Sequence, residues 1–230
     1  MLNMKKISSA LLLASLTTTS QAALFFGEDL NPLVSSANSD NANAAFLAQL
    51  SGVGTEDFES FSQGISGPLT VDFGVAGTAT LSGSGEVRTS SSSGRFATSG
   101  SAYWNTNNDF TITFSNAISA FGFYGTDIGD FGGNITLDFV NGSTTSYIVN
   151  NTTSAPNGSL LFWGLVDVTN PFTSITFGNT NSTDVFGFDD MTIGTAQQVI
   201  TNSVPEPGSL AILGLGLAGF SLTRKAKKQA

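Results

Sequence analysis

Cysteine and histidine are both absent from this sequence of 230 residues, and its lysines are confined to the two ends. Without cysteine there is no disulfide framework and no thiolate nucleophile or metal ligand. Without histidine there is no Ser-His-Asp or Cys-His relay, no imidazole general base and no His-liganded zinc. Carboxylate chemistry of the glycosidase kind is what remains open to an enzyme. Basic residues are also scarce: between residues 23 and 204 only Arg88 and Arg95 carry positive charge, against sixteen of the seventeen acids, for a formal charge of −14. Such a domain repels nucleic acid phosphates and anionic headgroups and attracts divalent cations. Its length is sufficient for one buried core without covalent staples.

The two ends read as addresses. Lys5 and Lys6 precede an apolar run over 7–16, and Ser20-Gln21-Ala22 is a small-x-small site, so residues 1–22 are predicted to be a signal peptide cleaved after Ala22. At the other end, a polar linker over 196–203 leads to Val204-Pro205-Glu206-Pro207, then to an uncharged stretch over 209–223 interrupted by Gly214, Gly216 and Gly219, then to a basic end over 224–228. At 1.5 Å per residue the uncharged stretch reaches about 22 Å, a short transmembrane helix against a hydrocarbon core of roughly 30 Å. Its basic end belongs on the cytoplasmic side, which places the domain outside. In this three-part order residues 204–230 resemble a PEP-CTERM sorting tail of Gram-negative bacteria. The resemblance implies recognition by the membrane protease-transferase exosortase, an inner-membrane intermediate held by the tail, and release or transfer to the cell surface or extracellular matrix.

Between the ends, residues 23–54 form an N-terminal segment, loop-like up to residue 39, with a short helix predicted over 40–50. Ser39 or Asp40 is its cap, and Phe46, Leu47 and Leu50 lie along one side. Residues 55–195 then change to short runs of Phe, Ile, Val and Thr separated by Gly, Asn and Ser. Strands are predicted over 69–73, 78–81, 110–114, 120–124, 134–140, 146–149, 160–168, 172–177 and 185–193. Phe110, Ile112 and Phe114 alternate toward one face, as do Ile135, Leu137 and Phe139. Asn141-Gly142 is a type I′ hairpin signal, and the run over 160–168, apolar on both faces, reads as a central covered strand. The predicted class is all-β, a jelly-roll-like β-sandwich with one short helix.

Two acidic constellations stand out. Glu56-Asp57-Phe58-Glu59 opens the β region and Phe186-Gly187-Phe188-Asp189-Asp190 closes it; side by side, their carboxylates repel unless a cation lies between them, and calcium is the natural partner of oxygen-only ligands. These two runs are similar to the opening and closing strands of galactose-binding-like jelly rolls and carbohydrate-binding modules. That resemblance implies a structural calcium with Glu59 and Asp189 or Asp190 as ligands, the alternative being solvated strand-end charges. Asp127 and Asp130, on a Gly-rich loop, are a minor cation candidate beside the reading of a surface turn.

Arg95, Tyr103 and Trp104 bring one of the two cations next to two aromatics, a combination suited to stacking on a sugar ring if exposed. The other reading places Trp104 in the core and pairs Arg95 with an acid. Three functions follow in order: a non-catalytic exported protein associated with surface polysaccharide, a calcium-dependent carbohydrate-binding module, and a carboxylate-only glycosidase.

Overall fold

The computed structural model describes residues 22–32, 34–154, 157 and 159–200. Most of the predicted signal peptide and the whole predicted tail lie outside them. Among the described residues no helix is long and apolar enough to cross a membrane.

Among the described residues thirteen strands and one α-helix follow the order β1 (Ala23–Asp29), α1 (Ala37–Leu47), β2 (Gly54–Glu56), β3 (Leu69–Asp72), β4 (Thr78–Gly83), β5 (Glu86–Arg88), β6 (Tyr103–Thr106), β7 (Phe110–Ile118), β8 (Ala120–Ile128), β9 (Ile135–Val140), β10 (Thr144–Ile148), β11 (Ser159–Val166), β12 (Phe172–Asn179) and β13 (Phe186–Gly194). They make two antiparallel sheets. One runs β1-β11-β8-β13-β6-β5, with β2 also on β13, and the other β10-β9-β12-β7-β4-β3. The protein is an all-β sandwich carrying one short helix. Each of the nine predicted runs lies on a strand.

Alternation explains the core. Phe110, Ile112 and Phe114 of β7 and Ile135, Leu137 and Phe139 of β9 all point inward and are buried. They meet Phe177 of β12 and, from the facing sheet, Phe121 and Phe123 of β8 and Phe188 of β13, with Phe110 stacked on Phe177 at 4.4 Å between ring centres.

β11 is buried along its whole length between β1 and β8, because α1 covers the face it turns away from the core. The apolar contact of the helix centres on Phe46, which packs against Phe25 and Phe162. Gly122 and Gly164 are cross-strand partners, and a Cβ on either would come within 2.9 Å of the Phe46 ring. These two glycines therefore clear the slot that seats the helix.

Three predictions about connections are corrected. The segment read as loop up to residue 39 contains β1, and α1 begins at Ala37 because Asp29 supplies its cap from outside: the Asn38 and Ser39 amides both donate to that carboxylate. The Asn141-Gly142 turn is present, but β9 and β10 are joined by three residues with only Gly142 at positive φ, so it is not type I′.

Candidate functional site

β2 and β13 are hydrogen-bonded neighbours, Glu56 opposite Met191, so the opening and closing acidic runs do meet. In a regular strand Asp189 and Asp190 would point to opposite faces. A register shift between Asp189 and Thr192, with Asp190 at φ 46°, forms a bulge that turns both toward Thr98. The Thr98 hydroxyl is 3.1 Å from one carboxylate and 2.8 Å from the other.

These acids are saturated with donors. Asp189, 1% exposed, accepts the Thr98 and Ser99 amides at 2.7 and 3.1 Å and the Asp190 amide at 2.8 Å. Asp190 accepts the Ser99 hydroxyl at 2.7 Å. Glu59 accepts the Ser101 amide at 2.6 Å and the Ala102 amide at 2.5 Å. The expected repulsion is thus relieved by N–H and O–H groups of residues 98–102, which Glu59 and Asp189 clamp at opposite ends. The Ser101 and Ala102 amides hold Glu59 below the usual carboxylate range. Burial, with the charge of Asp190, pushes Asp189 up to about 7 despite its hydrogen bonds.

A second group of acids gathers at the end of β8, Asp127 within the strand and Asp130 and Asp184 in loops. Arg95 Nη1 donates to Asp127 Oδ2 at 2.6 Å. Burial, reinforced by Asp130, nevertheless pushes Asp127 up to about 7. Asp184, fully buried, accepts the Gly133 amide through Oδ2 at 2.9 Å. Its pKa is raised by burial against that amide, and Asp130 adds to the rise from within hydrogen-bonding reach. The Oδ1 atoms of Asp127, Asp130 and Asp184 are all buried without a donor. Asp130, predicted beside Asp127 as a cation ligand, acts on both Asp127 and Asp184. Nothing in the sequence singled out Asp184, one acid in a polar Asn-Ser-Thr turn. Among the described residues no three acidic side chains are gathered as a metal cluster.

The predicted sugar platform is corrected. Trp104 is fully buried, stacked on Phe58 and tilted against Phe110. Tyr103 is 1% exposed and donates its hydroxyl to the Ser90 carbonyl. β6 lies between β13 and β5, its inner side chain in the core and its outer one beneath the segment that follows β5. Arg95 is committed to Asp127, but it also lines an open cavity of about 440 Å³ with Leu30, Asn31, Pro32, Ser92 and Asn157.

Among solved structures the sandwich is similar to the C-terminal family 22 carbohydrate-binding module of Clostridium thermocellum Xyn10B, at 17% identity over 64% of this chain and 95% of that one, with a TM-score of 0.39. It is similar also to the K2 cleaved adhesin domain of Lys-gingipain, at 15% identity over 63% and 98%, TM-score 0.39. A third is a family 29 carbohydrate-binding module, at 13% identity over 64% and 95%, TM-score 0.31. No curated protein matches the sequence. Residues 203–225 match the PEP-CTERM protein-sorting motif, so the chain carries the C-terminal sorting signal of an exported protein.

Proposed function

We propose that this is a non-catalytic surface or matrix protein, processed by exosortase at its tail, whose anionic sandwich associates with extracellular polysaccharide. The sorting motif at 203–225 carries the reading. Charge supports it: the domain's two cations are each tied to an acid, Arg88 to Glu86 at 2.7 Å and Arg95 to Asp127 at 2.6 Å, so none is left free to draw the domain onto phosphate-rich surfaces.

The test is fractionation of cells expressing the tagged full chain and its Pro205→Ala/Glu206→Ala variant. The parent is expected outside the inner membrane at reduced mass, and the variant retained in the membrane with its tail intact. Identical size and location for the two would overturn the sorting step.

A second reading, a carbohydrate-binding module, rests on the open cavity beside Arg95, whose mixture of hydroxyl, amide and apolar lining suits a sugar. Retardation in polysaccharide-containing native gels that is lost on filling the cavity with Asn31→Trp supports it. Equal retardation of both proteins removes it.

A further inference from the structure

The two acidic groups differ in how they are neutralised. Around Asp189 and Glu59 amides and hydroxyls occupy the carboxylate oxygens, and an ion there would have to displace several of them. Around Asp130 and Asp184 such donors are fewer. Asp184 is 0% exposed and accepts the Gly133 amide through Oδ2, with the Phe131 amide also directed at the carboxylate, while its Oδ1 and Asp130 Oδ1 are buried with no partner. An orphaned buried carboxylate oxygen is costly, and the nearby cation, Arg95, is directed at Asp127.

Neutral oxygen adjoins the pair. A Cβ on Gly133 would lie 2.8 Å from both Asp184 Oδ2 and Asn179 Oδ1, so those two oxygens converge on one side of that glycine. The loops holding them are tied together at several points. The Asn181 side chain donates to the Phe131 carbonyl at 2.7 Å, the Asn134 amide to the Thr180 hydroxyl at 2.8 Å, and the Asn179 side chain to the Asp184 carbonyl at 2.8 Å. Two carboxylates, each with one unpaired oxygen, and an amide oxygen that accepts the Asn181 amide at 2.9 Å are therefore held in place before any ligand arrives.

We propose that Asp130 and Asp184, with the amide oxygen of Asn179, form a binding site for a divalent cation of the hard, oxygen-seeking class, with calcium the best fit. Calcium accepts a mixed shell of carboxylates, amide and backbone carbonyls and water, so two acids suffice. The ion would fasten the loop after β8 to the loop before β13. This assignment is independent of the sorting reading.

The full chain, purified in detergent and stripped with chelator, is melted with and without 1 mM calcium chloride, and calcium binding is measured by titration calorimetry. One saturable site and a rise of about 3–5 °C in melting temperature are expected. Both should vanish in Asp130→Asn and in Asp184→Asn, while Asp189→Asn keeps the full calcium increment on a shifted baseline. If Asp184→Asn does not fold, the partly exposed Asp130 decides the matter. A parent melt indifferent to calcium, without binding heat, would mean that the pair holds only a proton and would overturn the site. So would an increment that survives in Asp130→Asn, or one that disappears in Asp189→Asn.

Discussion

Asp29 caps the helix from the end of the first strand: its Oδ2 accepts the Ser39 amide at 2.8 Å and the Ser39 hydroxyl at 2.7 Å. The only α-helix among the described residues is thereby fixed at its N-terminus to the sheet that it covers, a carboxylate meeting the positive end of the helix. Burial works against the charge, but the hydrogen bonds from Ser39 and Asn38 prevail and hold the carboxyl below its ordinary range.

Asp29→Ala should lower stability by roughly 1–3 kcal/mol, since it leaves the buried Ser39 donors without an acceptor. A lower urea midpoint with an unchanged slope is the expected result. A midpoint within error of the parent would show that the cap contributes nothing.

The pH dependence should be inverted relative to that of a salt-bridged acid. Asp189 moves from an ordinary 3.8 to about 7 in the folded chain, so the folded state holds its proton more tightly. The stability this contributes is complete below about pH 4 and is lost as pH rises through 7. Asp29, Glu59 and Asp167, held below their ordinary range, act oppositely, and their contribution is lost as pH falls through their folded values. The melting temperature of chelated protein should therefore peak near about pH 5 and fall toward pH 8. Asp189→Asn should flatten the descent; a slope as steep as the parent's would assign it to other groups.

Trp104→Ala is expected to cost about 3–5 kcal/mol by emptying a fully buried site. Chemical denaturation gives the value directly, and the soluble fraction on expression should fall with it. A loss below about 1 kcal/mol would contradict the packing against Phe58 and Phe110.

Arg95→Met should strand Asp127 in the interior. A loss on the order of 3 kcal/mol is expected at pH 8, with a smaller one at pH 5.5, where Asp127 carries a proton. Asp127→Asn in the same chain should restore part of the loss, because Asn tolerates the positive φ of 62° at that position. Losses equal at the two pH values would show that the guanidinium stabilises by packing alone.

Much of the sandwich is legible in the sequence because its strands alternate strongly: Phe110, Ile112 and Phe114 announce both a strand and its inner face. β1 is not, because as an edge strand it exposes Leu24 and Phe26 and ends in Gly27, Glu28 and Asp29, whose partners are α1 and the loop before β11. The meeting of Glu56 with the closing strand was readable from the usual pairing of terminal strands. What neutralises Glu59 and Asp189 was not, since the donors lie in residues 98–102 and have no acidic or metal-ligand signature. The same holds for Trp104, where composition shows an aromatic beside a cation but not the strand on either side of it.

The position of β13 has a consequence for the order of assembly. The last strand to leave the export channel is also the one on which β2, β6 and β8 converge. Until it arrives, β2 has no partner, β6 and β8 each keep one open edge, and the sheet remains in separate pieces whose edges invite association with other chains. Completion by the C-terminal strand makes this a high-contact-order closure, slow compared with local folding. Closure of this sheet thus waits for residue 194, a few residues before the sorting motif at 203–225.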